Sequence, residues 1–264
     1  MPRPPYITAE SHGAVRLIWI DRVAKRNALT TSMMWRLGDH VREAIRDETV
    51  RVLVIGGRGP HFCSGGDMDE MRRHDALSSD AVMFAWESTL ELIERAPKPV
   101  IAMVHGAAFG GGTELAMACH MRLAAQTARF AQTEIALDHL PGGGGTQRLP
   151  RLLPLAVAYD MLLTGRALSA EEGLRLGFLN AVFPEANLVE QTLGLATQIA
   201  ARSSVAIRYT MEAIRVGLLG SLETGIRLER ALASLVNQSS AAKAGMQEFF
   251  EAGRRPLSEP SNKS

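Results

Sequence analysis

The stretch "HGAAFGGGTELAMACH", residues 105–120, decides how the chain is read. It joins a short apolar run, "PVIAMVHG" (99–106), to a second one, "LAMACHM" (115–121), through three consecutive glycines, Gly110 to Gly112. The first run is a buried strand by its length and Val/Ile content, and the second reads as helix. Glycine is a poor helix former, so three in succession at a helix start need a reason. A glycine can take positive φ or let another group approach the backbone closely. A glycine loop entering a helix also presents unpaired N–H groups at the positive end of the helix dipole, where an anion or a developing oxyanion can bind.

A second loop of this kind lies upstream. The strand "VRVLVIGG" (50–57) runs into "RGPHFCSGGD" (58–67), which holds the turn "FCSGGD". Neither loop fits a phosphate fingerprint. No glycine loop ends in Lys-Ser/Thr, and GxGxxG would need glycine where Leu115, Gln147 or Arg148 stands. The nucleophile elbow fails because Phe62 occupies its first position around Ser64. What remains is a tight turn in each case, or two loops that each aim one N–H into a shared oxyanion hole. Two carboxylates lie close by in sequence. Glu114 follows the triplet, and Glu134 precedes "IALDHLPGGGG". Apolar surroundings raise a carboxyl pKa and suit it to general acid or base work. Glu114 equally suits the helix dipole, and Glu134 a loop surface.

Strands and helices alternate around these loops. "AVRLIWI" (14–20) reads as a strand. Thr30 caps a helix over "TSMMWRLGDHVREAIRDE", with Met34, Leu37, Val41 and Ile45 on one face. "SDAVMFAWESTLELIERA" (79–96) is a second helix, ended by Pro97 and Pro99, and 122–134 reads as short strands. Strand, strand, helix therefore recurs, with a spacing of about fifty residues between the two main apolar strands. "PGGGGTQRLPRLLP" (141–154) is a glycine loop before a short helix, and Ser169 with Glu172 forms a capping box. Helices over 188–201, 204–218 and 221–238 have no strand to cover, which points to oligomerisation. The terminal "RRPLSEPSNKS" reads as frayed.

Bulk composition excludes several classes. The 264 residues are 46% hydrophobic and 22% charged, with a formal net charge of +1, so nucleic acid and anionic membranes are not expected partners. Lysine occurs only at 25, 98, 243 and 263. Cys63 and Cys119 form no CxxC, and no Cys/His cluster has zinc spacing. The N-terminus lacks a signal-peptide h-region, and no run approaches a membrane span, so a soluble, cytoplasmic protein is expected.

Taken together, "RVAKRNALT", "FCSGGDMDEM", "GAAFGGGTELAMAC", "FAQTEIALDHLPGGGGTQRLPR" and "LTGRALSAEEGLRLGFLNAVF" resemble the enoyl-CoA hydratase/isomerase family, the crotonase superfamily, over nearly the whole chain. The resemblance implies an α/β fold: a spiral of ββα units over 1–195, carrying a CoA-thioester site, and a helical region over 196–264 for trimers or dimers of trimers. It implies an oxyanion hole from the N–H groups of Ser64 and Gly111. Glu114 would activate the water and Glu134 handle the C2 proton, in hydration of a trans-2-enoyl-CoA to a 3-hydroxyacyl-CoA. Lys25, Arg26 and the segment Ser64, Gly65, Gly66, Asp67, Met68 would contact coenzyme A, which is part of the substrate; no metal or separate cofactor is implied. Isomerase, hydrolase or other thioester chemistry on the same fold is the alternative, and a non-catalytic RNA-binding or scaffold role a further one. Three positions depart from the family pattern: Val23 for a proline, Ser64 for an alanine and Asp138 for a glycine. Asp138 either enters the pocket as a third carboxylate or caps the following turn. His139 has no identifiable partner and reads as structural.

Overall fold

The computed structural model describes residues 6–73 and 75–251, so the frayed tail expected at the C-terminus lies outside the described residues. They divide into two compact units between Ala200 and Ala201.

The first unit is built on a six-stranded sheet of order β1-β2-β3-β4-β6-β9. Its strands are β1 (Ile7–His12), β2 (Val15–Ile20), β3 (Val52–Gly57), β4 (Val100–Val104), β6 (Met121–Ala125) and β9 (Ala181–Phe183). In this sheet only β1 and β2 pair antiparallel; every later pair is parallel. The continuous apolar runs follow from burial on both faces. Ile18, Ile20, Leu53, Ile55, Val100, Ala102 and Val104 enter one core, while Leu17, Trp19, Val52, Val54, Ile101 and Met103 enter a second. The alternation is the two-residue period of a strand.

A smaller sheet contains β5 (Ala107–Phe109), β7 (Arg129–Ala131) and β8 (Leu168–Ser169). A parallel bridge between Cys63 and Ala108 extends it towards the upstream loop. Each turn of chain thus gives one segment to the large sheet, one to the small sheet, and then a helix. This is the expected ββα spiral. Its helices are α1 (Thr31–Arg46), the single turn α2 (Met68–Met71), α3 (Ala76–Glu94), α4 (Gly111–Ala118), α5 (Gly145–Leu152), α6 (Leu155–Thr164), α7 (Ala170–Arg175) and α8 (Leu188–Ala200). Thr30 caps α1 as expected, its hydroxyl accepting from Met33 N–H at 3.3 Å.

Three local expectations need correction. The helix over "LAMACHM" stops at Ala118, because Met121 pairs with Ile101 as the start of β6 and His120 exchanges hydrogen bonds with the Val100 backbone. The capping box at Ser169 is half formed. Ser169 Oγ accepts from Glu172 N–H at 3.1 Å, but the Glu172 carboxylate is held by Arg166 at 3.0 and 3.1 Å. The helix from residue 188 does have a sheet to cover: Leu188, Ala196 and Ala200 of α8 pack into the second core with Val52, Val54 and Ile101.

The second unit holds α9 (Ser204–Gly217), α10 (Leu222–Asn237) and α11 (Ser240–Glu251). Ser203 and Ser221 cap the first two. The α9/α10 turn is tight, and a Cβ at Gly225 would lie 3.2 Å from Gly217 Cα. Among the described residues, no helix is long and apolar enough to cross a membrane.

Candidate active site

Each glycine of the triplet answers a different demand. Gly110 has φ 51° and ψ −123°, a conformation closed to residues with a Cβ, and its N–H donates to Ala131 O at 2.8 Å. A Cβ on Gly111 would stand 2.4 Å from the Trp86 ring, and one on Gly112 would stand 2.1 Å from Cys63 O. The triplet therefore lets α4 begin pressed between Trp86 and the "FCSGGD" turn. Thr113 fixes the arrangement by donating to Ala108 O at 2.5 Å, within β5. Gly111 is the first residue of α4, so its N–H has no intrahelical acceptor, and it has none elsewhere among the described residues.

The amide of Ser64, expected to face a shared oxyanion, is already engaged within the chain. Ser64 N–H is spent on Arg26 O at 3.1 Å. Gly65 N–H faces Cys63 Sγ at 3.4 Å, and Asp67 N–H donates to Leu29 O at 2.9 Å. Leu29 N–H in turn donates to Gly65 O. This bridge turns the Gly66 N–H to the opposite side of the chain, with no acceptor among the described residues. A Cβ at Gly65 would lie 3.1 Å from Gly111 N, so the turn abuts the start of α4. The free pair is Gly66 and Gly111; a loop-to-loop hydrogen bond to Arg26 O consumes the amide of Ser64.

Glu114 is buried in the first turn of α4. Its Oε1 accepts from Gly143 N–H at 2.8 Å and Gly145 N–H at 2.7 Å. Burial pushes its carboxyl up to about 7, and the nearby Glu134 adds to the shift; the two backbone donors and Arg148 oppose it. Glu134 opens a 3-10 turn over Glu134–Leu137, directly after β7. Because β7 pairs with β5, its exit lies beside the glycine triplet, and a Cβ on Gly110 would be 3.0 Å from Glu134 Oε1. Burial raises the Glu134 pKa too. Two carboxyls with raised pKa thus share one site with two unspent N–H donors.

The other expected residues are distributed around this centre. Lys25 pairs with Asp69 at 2.9 Å, both about half exposed. Arg26 is exposed, in the left-handed region (φ 50°), and lends its carbonyl to Ser64. The Asp67 side chain is structural: it pairs with Arg22 and caps α2 through Glu70 N–H at 2.9 Å. Burial opposes its ionisation, but Arg22 and Glu70 N–H outweigh it and hold its pKa low. Met68 is half exposed. Val23 fills the space against Gly59. Asp138 is exposed and ends the 3-10 turn with φ 56°, its N–H bonded back to Glu134 O and Ile135 O; it terminates the turn where glycine is usual. His139 is exposed, and its ring bonds only to Leu137 O among the described residues.

Several contributors were not singled out from sequence. Met83, Trp86 and Leu90 form one stripe of α3 against Gly142, Gly111 and Gly143. Their i, i+3, i+7 spacing was the available signal. Gln132 is fully buried; with its amide nitrogen turned to Glu134 it donates to both carboxylate oxygens, at 3.2 and 3.0 Å. Asn27 is buried with φ 58° and ties Arg22 N–H to the carbonyls of Arg58 and His61.

The enoyl-CoA hydratase/isomerase family model matches residues 10–259. The chain is 33% identical over 246 residues to the crotonyl-CoA hydratase of Syntrophomonas wolfei, covering 93% of this chain and 95% of the relative. It is 30% identical to the short-chain-enoyl-CoA hydratase of Clostridium acetobutylicum, covering 93% and 94%. The crystal structure of an enoyl-CoA hydratase from Bacillus anthracis superposes with a TM-score of 0.90 at 33% identity, over 96% of this chain and 98% of that one. With the ββα spiral and the paired glutamates in place, the chain belongs to the enoyl-CoA hydratase/isomerase family.

Proposed function

We propose that this protein adds water reversibly across the double bond of a trans-2-enoyl-CoA, giving a 3-hydroxyacyl-CoA. The observation that carries the reading is the pairing of Glu114 and Glu134, both with raised pKa, at a site where Gly66 and Gly111 N–H are unspent. The thioester oxygen sits between these two donors, which stabilise the enolate as charge moves onto oxygen; one such donor is worth roughly 10²–10³ in rate. Glu114, in its ionised form, takes a proton from water as the oxygen attacks C3. Glu134 delivers a proton to C2, and the roles reverse in dehydration. A pKa of about 7 leaves Glu114 able to hold or release a proton near neutral pH.

The crotonyl-CoA hydratase and short-chain hydratase relatives support a thioester with a short acyl chain. Coenzyme A enters as part of the substrate, approached by Lys25, Arg26 and the backbone from Gly65 to Met68. The second unit serves self-association. Its α9 and α10 expose Ile214, Leu218, Leu222 and Ile226 along a groove of about 600 Å³. The test of the activity is product analysis after incubating crotonyl-CoA in heavy-oxygen water. One heavy oxygen at C3 is the expected product. A shifted double bond or free coenzyme A, with no such incorporation, would overturn the reading in favour of isomerase or hydrolase chemistry.

A further inference from the structure

Glu114 is held by a loop that is itself held from outside the site. Gly143 N–H donates to Glu114 Oε1, while the Gly143 carbonyl accepts from Arg148 Nη1 at 2.8 Å. Arg148 belongs to α5, and its backbone N–H returns to Gly144 O at 2.8 Å. Its guanidinium is anchored in turn by Glu94 at the end of α3, Nη2 to Oε2 at 2.8 Å and Nε to Oε1 at 3.4 Å. A planar guanidinium is suited to this task because its fork can meet a carboxylate on one side and a carbonyl on another. Arg148 is only 18% exposed at its side chain, so its charge is weakly screened. Gly144 has φ 91°, and a Cβ there would lie 2.3 Å from Arg148 Nη1, so the turn is packed directly against the guanidinium.

We propose that Arg148, anchored by Glu94, is a positioning residue for the acid–base work of Glu114. It fixes the Gly143 donor on one carboxylate oxygen and brings a positive charge to act on that carboxyl. The inference rests on the reading of Glu114 as the group that activates water. The charged groups facing Glu114 are Glu134 from the 3-10 turn and Arg148 from α5; α3 contributes Glu94, already paired with Arg148, and β5 carries no titratable side chain. Glu134 favours the protonated form and Arg148 the ionised form. Removing Arg148 therefore raises the pH at which Glu114 ionises.

The experiment is the pH dependence of kcat and kcat/KM for crotonyl-CoA hydration in wild type, Arg148→Met, Arg148→Lys, Glu94→Gln and Glu114→Gln. Arg148→Met is expected to lower kcat about tenfold or more at neutral pH, through a misplaced carboxylate, with KM little changed. Its acid limb should move to higher pH. Arg148→Lys keeps the charge but not the fork, so its limb should stay near wild type while kcat remains reduced. Glu94→Gln should show a smaller kcat loss, and serves as the readout if Arg148→Met does not fold. In the Glu114→Gln background, Arg148→Met should add less than about a twofold loss. An unmoved acid limb, with kcat reduced equally at every pH and in proportion to lost folded protein, would overturn the proposal. Undiminished activity in Glu114→Gln alone would instead overturn the reading of the site, so the two failures are distinguishable.

Discussion

Replacing Glu114 by glutamine should make the protein less active and, at alkaline pH, more stable. Glu114 is about 2% exposed, and burial raises its carboxyl from an ordinary 4.5 to about 7. A raised folded pKa means that the native state binds the proton more tightly than the unfolded chain does. Between pH 4.5 and 7 the native state holds this proton and the unfolded state has lost it, so stability falls as pH rises through that window. At ~1.4 kcal/mol per pH unit, the cost above pH 7 reaches about 3 kcal/mol. A neutral amide in place of the carboxylate would carry no such cost, while its oxygen can still accept from Gly143 and Gly145. Urea unfolding of wild type and Glu114→Gln at about pH 5 and about pH 8, at one fixed protein concentration, reads the difference. The variant should gain on wild type by up to about 3 kcal/mol between the two pH values. Equal pH dependence in both proteins would refute the claim that the Glu114 carboxylate is held at an energetic cost.

Other expected outcomes follow from the packing. Gly111→Ala should lose about 1–3 kcal/mol by driving a methyl into the Trp86 ring; thermal melts should show the loss shrinking in a Trp86→Phe background, and a loss unchanged there would sink the contact as its cause. Asn27→Ala should cost about 3 kcal/mol or more, since it orphans Arg22 N–H and leaves the Arg58 and His61 carbonyls unpaired; denaturant unfolding checks it, and a cost below about 1 kcal/mol would contradict the assigned role. Ile226→Arg should lower the assembly state in light scattering if the exposed α9/α10 face carries self-association.

Much of the fold was legible because its signals are local. Continuous apolar runs at 50–57 and 99–106 mark strands buried on both faces, and capping residues such as Thr30 mark helix starts. The two glutamates were visible as carboxylates among apolar neighbours, Glu114 directly after the glycine triplet, but their proposed roles came from the family resemblance. The amide of the "FCSGGD" turn left without an acceptor was not legible. Which amide of "SGGD" stays free depends on Leu29, thirty-odd residues away in sequence, which pairs with the flanking groups and leaves Gly66. The same non-local effect hid Arg148, whose use depends on where α3 ends; Gln132 meets Glu134 only two residues away, but nothing in its neighbours showed that it would be buried. The α4 boundary failed for a related reason. "LAMACHM" is apolar enough to continue as helix, but Met121 gains a strand partner in Ile101. Asp138 takes the left-handed conformation that glycine would otherwise supply, which its short polar side chain tolerates.

The most direct test of the central claim is the initial rate at which crotonyl-CoA loses its enoyl-thioester absorbance, with wild type beside Glu114→Gln. Rapid loss with wild type, slowed by roughly 10²-fold or more in the variant, is the predicted result for a positioned general base. No loss with wild type, or an equal rate in the variant, would contradict the assignment of Glu114 as the group that activates water.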